Sequence, residues 1–104
     1  MVLRGVKHES EVLLRQVDGR ITTLRAGRAT GLENAEDTAE RLRLLVADTT
    51  HSSAVDRARV RAAVHYFVGM RNSRDRRHMR SLAEDLRVVD AMVADINDVA
   101  WTAA

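Results

Sequence analysis

The chain has 104 residues, without proline or cysteine, so it has room for one domain with a single core and excludes both a disulfide framework and thiolate chemistry. Apolar residues make up 45% and charged residues 31%, a balance too apolar for a disordered chain. The formal net charge is only +2, so there is no strong surplus of either sign.

No stretch approaches a membrane span, and Val2, Leu3 and Val6 are too few and too broken for the apolar region of a signal peptide. The expected location is therefore the cytoplasm. Lys7 is the sole lysine beside sixteen arginines. With the abundant Ala, Val and Asp, that bias is what a bacterial genome rich in G and C produces, and it weakens any arginine run as a phosphate signal. Ala, Arg, Leu and Glu favour helix, and no proline interrupts it. The expectation is an all-α protein over residues 1–104.

Helix 1 is expected from within Val2–Lys7 to about Ala26, with Leu3, Val6, Ser10, Leu13, Val17, Ile21 and Leu24 facing inward at a spacing near 3.6. Gly19 weakens it by about 1 kcal/mol relative to alanine, but the pattern reads through. Gly27 suits the residue just past a helix end. Thr30-Gly31-Leu32-Glu33 reads as a capping box opening helix 2, which runs to about Asp48 with Leu32, Ala35, Ala39, Leu42, Leu45 and Val46 inward. Its first turns carry Glu33, Glu36, Asp37 and Glu40, where the helix dipole favours acids.

Ser53-Ala54-Val55-Asp56 resembles a second capping box and starts helix 3, which is expected to reach about Arg71. Beyond Val60 it is apolar nearly all round, through Ala62, Ala63, Val64, Tyr66, Phe67, Val68 and Met70. Such a helix is either central or carries an interface. Asn72 or Ser73 then caps helix 4, which runs to about Ala100. Met79, Leu82, Leu86, Val89, Val93, Ile96 and Ala100 follow steps of 3 and 4 without a break, the seam of a helix packing along another. At roughly 27 residues it would span about 40 Å, so its far end needs cover from Val2, Leu3 and Val6 or from a second subunit. Short loops and four helices give an up-down-up-down four-helix bundle with a long C-terminal helix.

The loudest charged feature is Arg71, Arg74, Arg76, Arg77 and Arg80, with Asp75 the only acid among them. Cations at a helix start oppose the dipole, and Glu84, Asp85, Asp90, Asp95 and Asp98 occupy the rest of helix 4 the same unfavourable way round. Three arrangements account for this. The arginines can bind nucleic-acid phosphates, although no aromatic residue interleaves them and helix 4 is long for a recognition helix. They can meet Glu33, Glu36, Asp37 and Glu40 of their own chain, while Arg57, Arg59 and Arg61 meet Asp90, Asp95, Asp98, Glu9 and Glu11. Or two copies of helix 4 can pack antiparallel, setting the basic half of one against the acidic half of the other.

Nothing here reaches a catalytic signature. No nucleophile elbow, His-Glu-x-x-His or phosphate-cradling glycine loop occurs, and the approach of His65 to His78 would lack a third metal ligand. Size and helicity match the small proteins exported by type VII secretion, but their Trp-x-Gly turn is missing. The expectation is a non-enzymatic protein–protein interaction module in an adaptor, assembly or regulatory role, self-associating as a homodimer and needing no cofactor or metal. Its interface anchors would be Tyr66, Met70, Val99 and Trp101. The alternative is a small nucleic-acid-binding regulator using Arg71–Arg80.

Overall fold

The computed structural model describes the backbone of residues 2–28, 30–69 and 82–103, and the side chains of 8–28, 30–69 and 82–97. These residues form four α-helices and no strand: α1 (Val2–Ala26), α2 (Leu32–Asp48), α3 (Ala54–Val68) and α4 (Leu82–Ala103). The all-α expectation holds. α1 has 25 residues and α4 has 22 in the described region, and the expected start of helix 4 at Asn72 or Ser73 lies outside it.

α1 continues through Gly19 because that residue faces solvent, where a β-carbon would meet nothing within 4 Å. The Thr22 and Thr23 hydroxyls donate to the Asp18 and Gly19 carbonyls, each at 3.0 Å. Gly27 follows directly on the end of α1 at Ala26, as expected, but it is not the left-handed residue of the turn. Its N–H still donates to the Thr23 carbonyl in the helical pattern, and the left-handed residue is Arg28, one position on, at φ 51°.

The capping box at Thr30 is likewise corrected. Gly31 is the cap, at φ 85°, and no side chain closes the helix start; the Gly31 carbonyl accepts the Ala35 N–H at 3.1 Å. A glycine fits because a β-carbon is strained at positive φ. The cap of α3 is as expected, with the Asp56 N–H donating to Ser53 Oγ at 3.2 Å. α3 ends at Val68, three residues before the expected Arg71, where the Gly69 N–H closes onto the His65 carbonyl.

The core draws on all four helices. Leu13, Val17, Ile21 and Leu24 of α1 meet Ala35, Ala39, Leu42, Leu45 and Val46 of α2. Val60, Ala63, Val64 and Phe67 of α3 and Leu86, Val89, Val93 and Ile96 of α4 complete it. These are the faces the periodicity picks out, except that Leu32 and Leu82 are half-buried and Ala62 is exposed. Leu3, Val6, Met79 and Ala100 have no described side chain, so the expected cover of the α4 end falls outside the described residues.

Polar contacts report the register. Arg25 meets Glu36, Asp18 meets Arg43, and Ser10 meets Thr50, so α1 and α2 run antiparallel along their length. Asp90 of α4 meets both Thr38 and Arg41 of α2, and Leu82 lies beside Gly31, so α2 and α4 run parallel as neighbours. Every pair of helices packs together except α1 with α4, among the described residues. The ring order is therefore α1, α2, α4, α3, with α2 and α3 touching across the short diagonal. α2 and α4 are not joined by a loop, so their parallel contact is compatible with the expected alternation of consecutive helices.

Two glycine substitutions should move stability in opposite directions. Gly19→Ala fills open space on a helix and should stabilise by about 0.5–1 kcal/mol. Gly31→Ala must hold a side chain at positive φ and should cost about 1 kcal/mol or more. Urea unfolding of the two variants beside the parent checks both signs.

Candidate functional site

Three polar assemblies tie the helices together at their seams. Between α1 and α2, Arg43 places Nε and Nη2 on Asp18 Oδ1 at 2.8 and 2.7 Å and Nη1 on Glu40 Oε2 at 3.2 Å. Partial burial works to lower the Arg43 pKa, but the hydrogen bonds and charge of Asp18, then of Glu40, outweigh it and hold the group above the ordinary arginine range. Between α2 and α4, Asp90 Oδ1 accepts from the Thr38 hydroxyl at 3.1 Å and from Arg41 at 2.9 Å. Thr38 is only 1% exposed, so this bond satisfies a hydroxyl that water cannot reach. Between α1 and α3, Arg61 bridges to Glu9 at 2.8 Å.

A fourth group lies where α1 and α4 face one another without packing. Asp85, buried at the start of α4, acts on Arg20 of α1. Burial in the first place lowers the Arg20 pKa, and the charge of Asp85 works against that shift. Gln16 sits one turn before Arg20, and its buried Oε1 has no hydrogen-bond partner.

The expected charge matching is realised only in part. Arg61 does meet Glu9, but Asp90 pairs with α2 instead of with Arg57, Arg59 or Arg61. The ring order explains this, because it sets Asp90 on the α2 side of α4. Glu36 and Glu40, expected near the arginine cluster, are engaged by Arg25 and Arg43. Arg71, Arg74, Arg76, Arg77 and Arg80 lie outside the described residues, as do Met70 and the side chains of Val99 and Trp101. Tyr66 is half-buried and packs against the core, and His65 is exposed.

Small cavities offer little. A shallow cleft bounded by Glu9, Ser10, Thr49, Thr50 and Arg57 has room for roughly one water molecule. Among the described residues no group of three or more His, Asp or Glu is placed to hold a metal, and no helix is long and apolar enough to cross a membrane.

The outward faces are more distinctive. On α3, Val55, Ala58, Ala62, Tyr66 and Gly69 follow steps of 3, 4, 4 and 3, with His65 beside them, and no charged residue interrupts the stripe. Val55 is 60% exposed. Arg59 borders the stripe on one side and Arg61 on the other, while Arg57 turns towards α1, lining the cleft with Glu9 and Ser10 and donating to the Ser52 carbonyl. On α2, Glu33, Asp37, Glu40, Leu44 and Asp48 recur at steps of 4, 3, 4 and 4, all exposed, with Leu44 at 56%. Glu33, Asp37, Asp48 and Arg59 form no ion pair among the described residues. The small residues of the α3 stripe carry no strong periodic signal of their own, which is why the sequence reading places the surplus apolar surface on helix 3 without locating the stripe.

Comparison with protein-family models, curated proteins and solved structures returned no match.

The α2–α4 seam makes a direct test of the buried polar contact. Thr38→Val keeps the shape and removes the donor, and should cost about 1 kcal/mol. Thr38→Ala should cost more, because it adds a cavity to the lost bond. Chemical denaturation of both variants measures the difference.

Proposed function

We propose that the protein is a non-enzymatic helical interaction module that associates with itself and with a protein partner. The observation that carries this reading is the outer face of α3. It exposes Val55 and Ala62 in a stripe free of charge, on a helix whose opposite side already fills the core with Val60, Ala63, Val64 and Phe67. Uncharged helix faces of this kind serve helix-on-helix contact. An adaptor, assembly or regulatory role in a bacterial cytoplasm belongs to the same proposal. So do alternation of the four helices in an up-down-up-down bundle and extension of α4 back through its seam to Met79, and Tyr66, Met70, Val99 and Trp101 are its proposed anchors.

The second reading, nucleic-acid binding through Arg71–Arg80, gains support from one specific feature. Two of the four acids available to neutralise that cluster inside the chain, Glu36 and Glu40, already hold Arg25 and Arg43. Fewer acids are then left to compete with phosphate for an arginine cluster.

Two measurements separate these readings. Light scattering coupled to size exclusion should show a mass above 11.6 kDa that rises with concentration, and a monomer at every concentration would remove self-association. Titration with duplex DNA should show no binding even at low salt under the first reading. Binding that weakens steeply with added salt would favour the second.

A further inference from the structure

We propose that self-association is heterologous, with the acidic outer face of α2 in one copy docking on the arginine-bordered stripe of α3 in the next. This inference rests on the self-association proposed above and specifies its geometry.

The argument starts from charge. The α2 face carries Glu33, Asp37, Glu40 and Asp48 around the exposed Leu44. Arg59 and Arg61 flank the α3 face, around the exposed Val55 and the small residues Ala58, Ala62 and Gly69. A two-fold dimer through α2 would set acids against acids, and one through α3 would set arginines against arginines. Like charges placed opposite one another oppose association, so each face disfavours itself and favours the other. Asp37, Asp48 and Arg59 have no ion-pair partner among the described residues.

Shape and placement agree with charge. Leu44 is exposed on α2, and the small residues Ala58 and Ala62 of α3 allow it a close approach. The two helices are of similar length, 17 and 15 residues, or about 25 and 22 Å. They touch across the short diagonal of the ring, so their outer faces point in opposite directions. Each copy then presents an acidic donor on one side and a basic acceptor on the other. Repeating that contact builds an open chain, or a ring if the rotation closes, rather than a discrete two-fold dimer.

Sedimentation velocity over a concentration series tests this on the intact protein. The parent should grow past a dimer at low salt and fall back towards monomer at ~0.5 M salt, where the screening length is only a few Å. One variant carries Asp37→Arg and Asp48→Arg, another Arg59→Glu, all at exposed positions. Each alone should stay monomeric where the parent assembles, and an equal mixture of the two should assemble again because both contact types in it are matched. Circular dichroism confirms that each variant is folded. Should either variant lose its helix, the salt dependence and growth past a dimer of the parent decide the matter. A parent that forms a salt-insensitive two-fold dimer, variants that assemble like the parent, or a folded mixture that stays monomeric would overturn the inference while leaving self-association standing. A parent that is monomeric throughout would overturn both.

Discussion

Ala35, Ala39 and Leu42 of α2 are wholly removed from solvent, and α2 packs against α1, α3 and α4 alike. The two alanines let neighbouring helices approach closely, while Leu42, Leu45 and Val46 fill the space that remains. Burial of this kind stabilises by about 25 cal/mol per Å² but is indifferent to direction and register. The polar contacts supply what the apolar core lacks. Arg25–Glu36, Arg43–Asp18 and Ser10–Thr50 all agree on one antiparallel register of α1 and α2, and a slip of one turn, about 5.4 Å, would break all three. Individually such exposed pairs contribute only about 0–1 kcal/mol. Their value here is in selecting one packing over its neighbours.

Much of the local structure was legible. Four helices, the inward faces of α1, α2 and α4, and the Ser53 cap all follow from spacing and cap chemistry. The errors share a cause. Thr38 and Asp85 are buried, yet an apolar count assigns them to the surface because it cannot see the partners that make their burial tolerable, Asp90 for the one and the Arg20 charge for the other. Thr30 has the side chain of a cap, but Gly31 holds that position because the connection needs positive φ. Adjacency of α2 and α4 is a property of the ring order, and local pattern carries no information about it.

The candidate site was legible in outline only. Beyond Val60 helix 3 is too apolar for one buried face, and Ala62 is exposed there; the exposed Val55 lies outside that run. Reading the acids of α2 as dipole partners at the start of the helix hides their continuation to Asp48 as an outward stripe. Asp90 meets Thr38 and Arg41 of α2 instead of the arginines of α3 because the ring order sets α4 beside α2. Once the ring order is in hand, the two outer faces separate cleanly, one acidic and one bordered by arginine, on opposite corners.

A molecule whose opposed faces are complementary to each other and not to themselves is suited to directional assembly, and the absence of cysteine makes that account accessible to a site-specific probe. A spin label on His65→Cys, at the edge of the stripe, mixed with the cysteine-free parent chain enriched in ¹⁵N, broadens amide signals wherever the two copies meet. The account predicts broadening centred on Glu40, Leu44 and Asp48 of α2. Broadening centred on α3 itself would contradict it.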